Sequence, residues 1–141
     1  MNKSKAAFRA MRETIGITQQ GLADLVGVKI LSVKRWESPK YPQQSPDAVW
    51  DLLHELESEQ IHTCHNALAV ASKRLQNSTE DRECIEVPYW SSAADYESSR
   101  GSEELTWTEA NANSRRLAVL LEDRGVSVQW VDGTTCANPI I

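Results

Sequence analysis

Over residues 4–37 apolar side chains return every three or four positions, and two of the three runs they make stop at a glycine. Ala7, Phe8, Met11 and Ile15 predict a helix over 4–15, with Ser4 as N-cap and Gly16 as the stop. Thr18 is placed to cap a second helix carrying Leu22, Ala23 and Val26, which ends at Gly27. After Val28 and Lys29 comes a third short helix, Ile30 to Glu37, with Val33 and Trp36 as its buried pair. The prolines at 39, 42 and 46 then interrupt helix, so Ser38 to Gln44 reads as a loop.

The pattern then changes scale. Ser45 and Pro46 make an N-cap and first helical residue. From there Val49, Leu53, Leu56, Gln60, Cys64, Ala67, Ala71 and Leu75 predict one amphipathic helix reaching about residue 76. A head of this size cannot cover so long a stripe. Part of it is expected to pack on the C-terminal half or on a second subunit. Asn77 to Glu83 reads as a linker, Ile85 to Trp90 as a strand with Pro88 marking an edge or an end, and Ser91 to Arg100 as a weak helix before a loop at Gly101. Thr106 and Glu109 form a capping box for a helix with Leu117, Leu120 and Leu121, closed by Gly125. Val126, Val128 and Trp130 alternate with polar residues as a half-buried strand. The fold expected is mainly α with a small α+β C-terminal part. Its domains are a head over 1–57 whose last helix runs on to about 76, an α+β unit over 77–133, and a flexible tail over 134–141.

Composition adds a division of charge. The net charge of −5 argues against a nucleic-acid partner, yet residues 1–40 hold eight Lys and Arg against three acidic residues, a balance of +5. The remainder carries −10, so a basic head could meet phosphates while the body repels them. No apolar run approaches the ~20 residues that cross a bilayer, and the N-terminus lacks the apolar stretch of a signal peptide, so the expected location is cytoplasmic. Cys64, Cys84 and Cys136 are odd in number and widely spaced, which fits free thiols in a reducing compartment.

The spacing within the head has mechanical reasons. Ala23 faces the neighbouring helix, where a larger side chain would push the two apart, and Gly27 supplies the left-handed turn that lets them cross at about 90 to 120°. Val33 and Trp36 anchor the third helix and leave its other face outward. The run GITQQGLADLVGV followed by SVKRWES resembles the Cro/repressor (Xre-type) helix-turn-helix family over about residues 4–57. That resemblance implies a lambda-repressor-like head. It also implies a structural ion pair between Arg12 and Glu37, a phosphate contact from Gln19, base-reading positions at Ile30, Leu31, Lys34 and Arg35, and phosphate contacts from Lys29 and Lys40.

Two positions depart from the family pattern. Gly21 stands where a glutamate is usual, forfeiting a capping-box partner and about 1 kcal/mol of helix propensity relative to Ala. Ile30 and Leu31 replace polar residues, and either contact thymine methyl groups or are buried by a partner. The wider layout, WESPK followed by a long helix, loosely resembles two-domain autorepressors associated with anti-CRISPR operons, which implies a C-terminal homodimer.

Other chemistry is weaker. His62, Cys64 and His65, with His54 two turns earlier, lack a fourth ligand at fixed spacing and read as surface histidines and a packed cysteine rather than a metal site. There is no Gly-rich phosphate loop or paired-carboxylate site, so neither an enzyme nor a cofactor is expected, and the five tryptophans read as core. The expected function is a DNA-binding transcription regulator, a homodimeric repressor of its own operon acting at an inverted-repeat operator in duplex DNA. The alternative is an antitoxin-like interaction protein whose C-terminal half binds a partner, and a small-molecule sensor comes third.

Overall fold

The computed structural model describes residues 3–78, 84–101 and 105–141. The protein is mainly helical, with one small parallel sheet near the C-terminus. It divides into two compact units, Met1–Glu59 and Gln60–Ile141.

The first unit holds α1 (Lys5–Ile15), α2 (Gln19–Val26), α3 (Ile30–Glu37) and the beginning of α4 (Asp47–Gln76). Local chemistry sets these boundaries. Ser4 Oγ accepts from Ala7 N at 3.1 Å and Thr18 Oγ1 from Gly21 N at 2.9 Å, which satisfies N–H groups that a helix start leaves orphaned. Gly27, at φ 73°, turns the chain between α2 and α3, and the Gly27 and Val28 N–H groups both return to Ala23 O. A Cβ at Gly21 would lie 3.1 Å from Thr18 Oγ1 and 3.2 Å from Ile17 Cγ1, so the cap itself crowds the position. Helix α4 starts at Asp47, one residue beyond the proline expected to open it, with Pro46 O accepting from Val49 N. The core gathers Phe8, Leu22, Val33, Trp36, Val49, Trp50 and Leu53. Phe8 meets Trp50 edge-on at 5.3 Å and Trp36 at 6.0 Å.

In the second unit the rest of α4 packs with β1 (Cys84–Tyr89), α5 (Ala93–Arg100), α6 (Trp107–Asp123) and β2 (Ser127–Asp132). The apolar stripe of α4 divides between two cores: Leu53 lies in the first, and Cys64, Ala67 and Ala71 lie in the second with Ile85, Val87, Leu117 and Leu121. The strands run parallel, Ile85 opposite Val128 and Val87 opposite Trp130, and the α5–α6 segment supplies the crossover that a parallel pair requires. Pro88 lies within β1 opposite Val131; in a two-stranded sheet both strands are edges, the setting in which proline is found. Thr106 and Glu109 make the reciprocal capping box of α6, and Gly125 follows it at φ 76°. Strand β2 ends at Asp132, whose carboxylate accepts from the N–H and O–H of Thr134 and is held below the usual carboxylate pKa by those bonds.

Three expectations change. The segment after Gly133 is no flexible tail: Ile140 is 6% exposed in the second core, and Arg74 donates to Asn138 O at 2.9 Å. Trp130 is not half-buried but 47% exposed, edge-on to Tyr89 at 5.5 Å, because α6 covers β1 more closely than β2. Of the linker expected over 77–83, residues 79–83 lie outside the described residues. No helix among the described residues is long and apolar enough to cross a membrane.

Buried Asn111 fastens the end of β1 to α6. Its amide accepts from Trp90 N and donates to Trp90 O, both at 2.8 Å, in the manner of a further strand. Opposite it, a Cβ on Gly133 would fall 2.2 Å from the Trp90 indole. Gly133→Ala is therefore expected to displace Trp90 and destabilise the protein by about 1–3 kcal/mol, read as a lower midpoint of thermal unfolding. An unchanged midpoint would contradict this packing.

Candidate nucleic-acid interface

The head is organised around a charged group that cannot reach water. Arg12 on α1 is 7% exposed and Glu37 at the end of α3 is 9% exposed. Arg12 Nε donates to Glu37 Oε1, and Nη2 to Oε2 at 3.1 Å, a forked guanidinium–carboxylate pair. Arg12 Nη1 donates to Ile17 O at 2.9 Å, which ties the α1–α2 turn to the same pair. Gln19 joins them: its Nε2 donates to Glu37 Oε2 at 2.9 Å. This side chain, expected at a phosphate, thus bonds the buried carboxylate across from the first turn of α2 to the last turn of α3.

Pinned at its C-terminal end, α3 presents two unlike faces. Ile30, Val33 and Glu37 fall on one side at helical spacing and face the core. Ile30, expected as a base-reading position, is half-buried and packs against the core cluster. Leu31, 48% exposed, Lys34 and Arg35 lie on the other side. Lys29 is exposed at the helix start and makes no capping bond with its side chain, and Lys40 is exposed in the loop beyond. Among the described residues, the ammonium groups of Lys29, Lys34 and Lys40 make no ion pair.

Two residues of this surface escape the sequence pattern. Lys5 Nζ donates to Arg35 O at 2.7 Å and to Gln43 O, so a cation closes the C-terminal end of α3 and holds the following loop. That loop turns through a Tyr41 N to Ser38 O bond of 3.2 Å and brings the Tyr41 ring under Arg35, whose guanidinium carbon lies 5.5 Å from the ring centroid. A lysine facing carbonyls and a tyrosine six residues from its arginine carry no periodic signature.

Elsewhere the candidate metal ligands do not converge. Cys64 is fully buried, its thiol donating to Asn113 O at 3.4 Å, and burial pushes its pKa up to about 11. His62 and His65 are exposed, and among the described residues no cluster of His, Cys, Asp or Glu could hold a metal ion. The second unit exposes an aromatic surface in which Tyr89, Arg115 and Trp130 line a shallow cavity of about 270 Å³ and Arg115 donates to the Tyr89 hydroxyl at 2.7 Å.

Compared with known proteins, the chain matches no family model and no curated sequence.

Removing one partner of a buried pair leaves an unpaired charge, at a cost of about 3–5 kcal/mol, whereas replacing both removes the burial problem. Arg12→Met and Glu37→Met are each expected to unfold the head at lower denaturant, and the double variant to recover much of that loss. Additive losses in equilibrium unfolding of the full chain would show that the pair is not coupled as described.

Proposed function

We propose that the protein is a sequence-specific DNA-binding transcription regulator whose α2 and α3 act as a helix-turn-helix, α3 entering the major groove. The outward face of α3 carries this reading: Leu31, Lys34 and Arg35 stand away from the core between Lys29 and Lys40. Base edges need side chains that project from a rigid element, and phosphates need unpaired cations around it. The basic balance of residues 1–40 against an acidic remainder supports the same orientation.

One recognition helix offers few base contacts, so two heads joined at fixed spacing gain affinity through effective concentration. We therefore assign the active form as a cytoplasmic homodimer that represses its own operon at an inverted repeat. The exposed Tyr89 and Trp130, and the free edges of a two-stranded sheet, support self-association through the second unit. The same aromatic surface favours the second reading, an interaction protein whose C-terminal unit captures another protein. Co-purification of a stoichiometric partner in place of a homodimer would select it.

Titration of operator and unrelated duplexes tests the docking. Arg35→Ala is expected to weaken operator binding by about 1–3 kcal/mol and leave unrelated duplexes less affected. Lys40→Ala is expected to weaken all duplexes alike and reduce the salt slope by about 1. Operator affinity unchanged in a folded Arg35→Ala protein would contradict the reading.

A further inference from the structure

Resting on the DNA-binding reading above, we infer that Leu31, Arg35 and Tyr41 form one base-reading unit whose target is a thymine next to a G·C pair. In this unit Arg35 takes the guanine, Leu31 the thymine methyl, and Tyr41 positions Arg35. Tyr41 lies outside the recognition helix, and no helical pattern relates it to the other two.

Arg35 is the centre of this unit. Its Nε is shielded from solvent and, among the described residues, donates no hydrogen bond. No described residue accepts from its terminal nitrogens either, so the ring of Tyr41 at 5.5 Å is what meets its charged end. A cation held by a ring face keeps its N–H fork unspent. Bidentate donation to the O6 and N7 of guanine requires such a fork, planar and oriented before contact. The loop that carries the ring is itself fixed, since Lys5 ties Arg35 O to Gln43 O across it and Tyr41 N bonds Ser38 O. Tyr41 stays 43% exposed, so its packing in the head is partial.

Leu31 supplies the second half. It lies one helical turn before Arg35 on the same face, about 6 Å away along the axis. A branched alkyl group left 48% exposed on a polar face has one apolar feature to meet in a major groove, the 5-methyl of thymine. Because the arginine side chain is long and base pairs are stacked about 3.4 Å apart, the two contacts fall on neighbouring pairs. Lys34, between them in sequence, carries a compact charge without the fork and suits a phosphate or a single acceptor.

The test uses the full chain and a duplex selected by it from a random pool, with single atoms of the DNA changed. Replacing the guanine by 7-deazaguanine is expected to lower wild-type affinity about 5- to 150-fold, and to have no effect on Arg35→Ala. Replacing the neighbouring thymine by uracil removes one methyl and is expected to cost about 4-fold, a loss absent from Leu31→Ala. Tyr41→Ala is expected to lower operator affinity about 2- to 5-fold and to shrink the 7-deazaguanine penalty, with an unchanged salt slope, whereas Tyr41→Phe keeps both. A selected half-site with no thymine beside a G·C pair would overturn the unit while leaving DNA binding intact. So would a 7-deazaguanine penalty that persists in Arg35→Ala or is untouched by Tyr41→Ala. A pool with no enriched duplex would overturn the DNA-binding reading itself.

Discussion

A guanidinium withdrawn from water is tolerated only when its charge and its donors are answered, and in the N-terminal unit the answer to Arg12 organises everything around it. Glu37 meets its fork from the last turn of α3, Ile17 O takes a further N–H from the turn after α1, and Gln19 donates to the same carboxylate from the first turn of α2. Three helices are joined at one point. Because Glu37 lies on the face of α3 that also carries Ile30 and Val33, the pair sets the rotation of α3 about its own axis. Leu31, Lys34 and Arg35 face outward as a consequence. The surface proposed to read DNA is the complement of a burial requirement, which is why a substitution at Glu37 would reach the interface without touching it.

The C-terminal unit meets a different constraint. Two parallel strands make too small a sheet to stand alone, and parallel sheets need cover. Cover comes from the second half of α4, from α6 and from Ile140. Asn111 substitutes for a missing strand at the end of β1, and Gly133 leaves room for the Trp90 ring. Among the described residues, the surface around Tyr89 and Trp130 stays exposed and neither strand pairs with a third. Exposed aromatic rings beside an unpaired strand are the feature that a second copy or a partner would use.

Much of this was legible in the sequence wherever one residue acts through its own backbone or through fixed spacing. The caps Ser4, Thr18 and Thr106, the turns at Gly16 and Gly27, and the stripe from Val49 to Leu75 all belong to that kind. The inward turn of Ile30 was also within reach, since it precedes Val33 by three residues. Choices made between segments were not legible. Gln19 bonds Glu37, Lys5 reaches the α3 terminus, Tyr41 lies under Arg35, and Ile140 enters a core, each through tertiary placement that no local pattern encodes. Trp130 shows the reverse limit: alternation gave it as an apolar position of a half-buried strand, but burial depends on how far α6 extends over β2.

The central claim is that α3, held by the Arg12–Glu37 pair, presents a surface that selects particular duplex DNA. The most direct measurement is capture of fragments of the native genome by the full-length protein at physiological salt, followed by sequencing of what is bound. The account predicts strong enrichment of one or a few promoter regions, the protein's own among them, each holding an inverted repeat with half-site centres about 34–36 Å apart or a multiple of one helical turn. Recovery of fragments in proportion to their abundance, with no shared repeat, would contradict it.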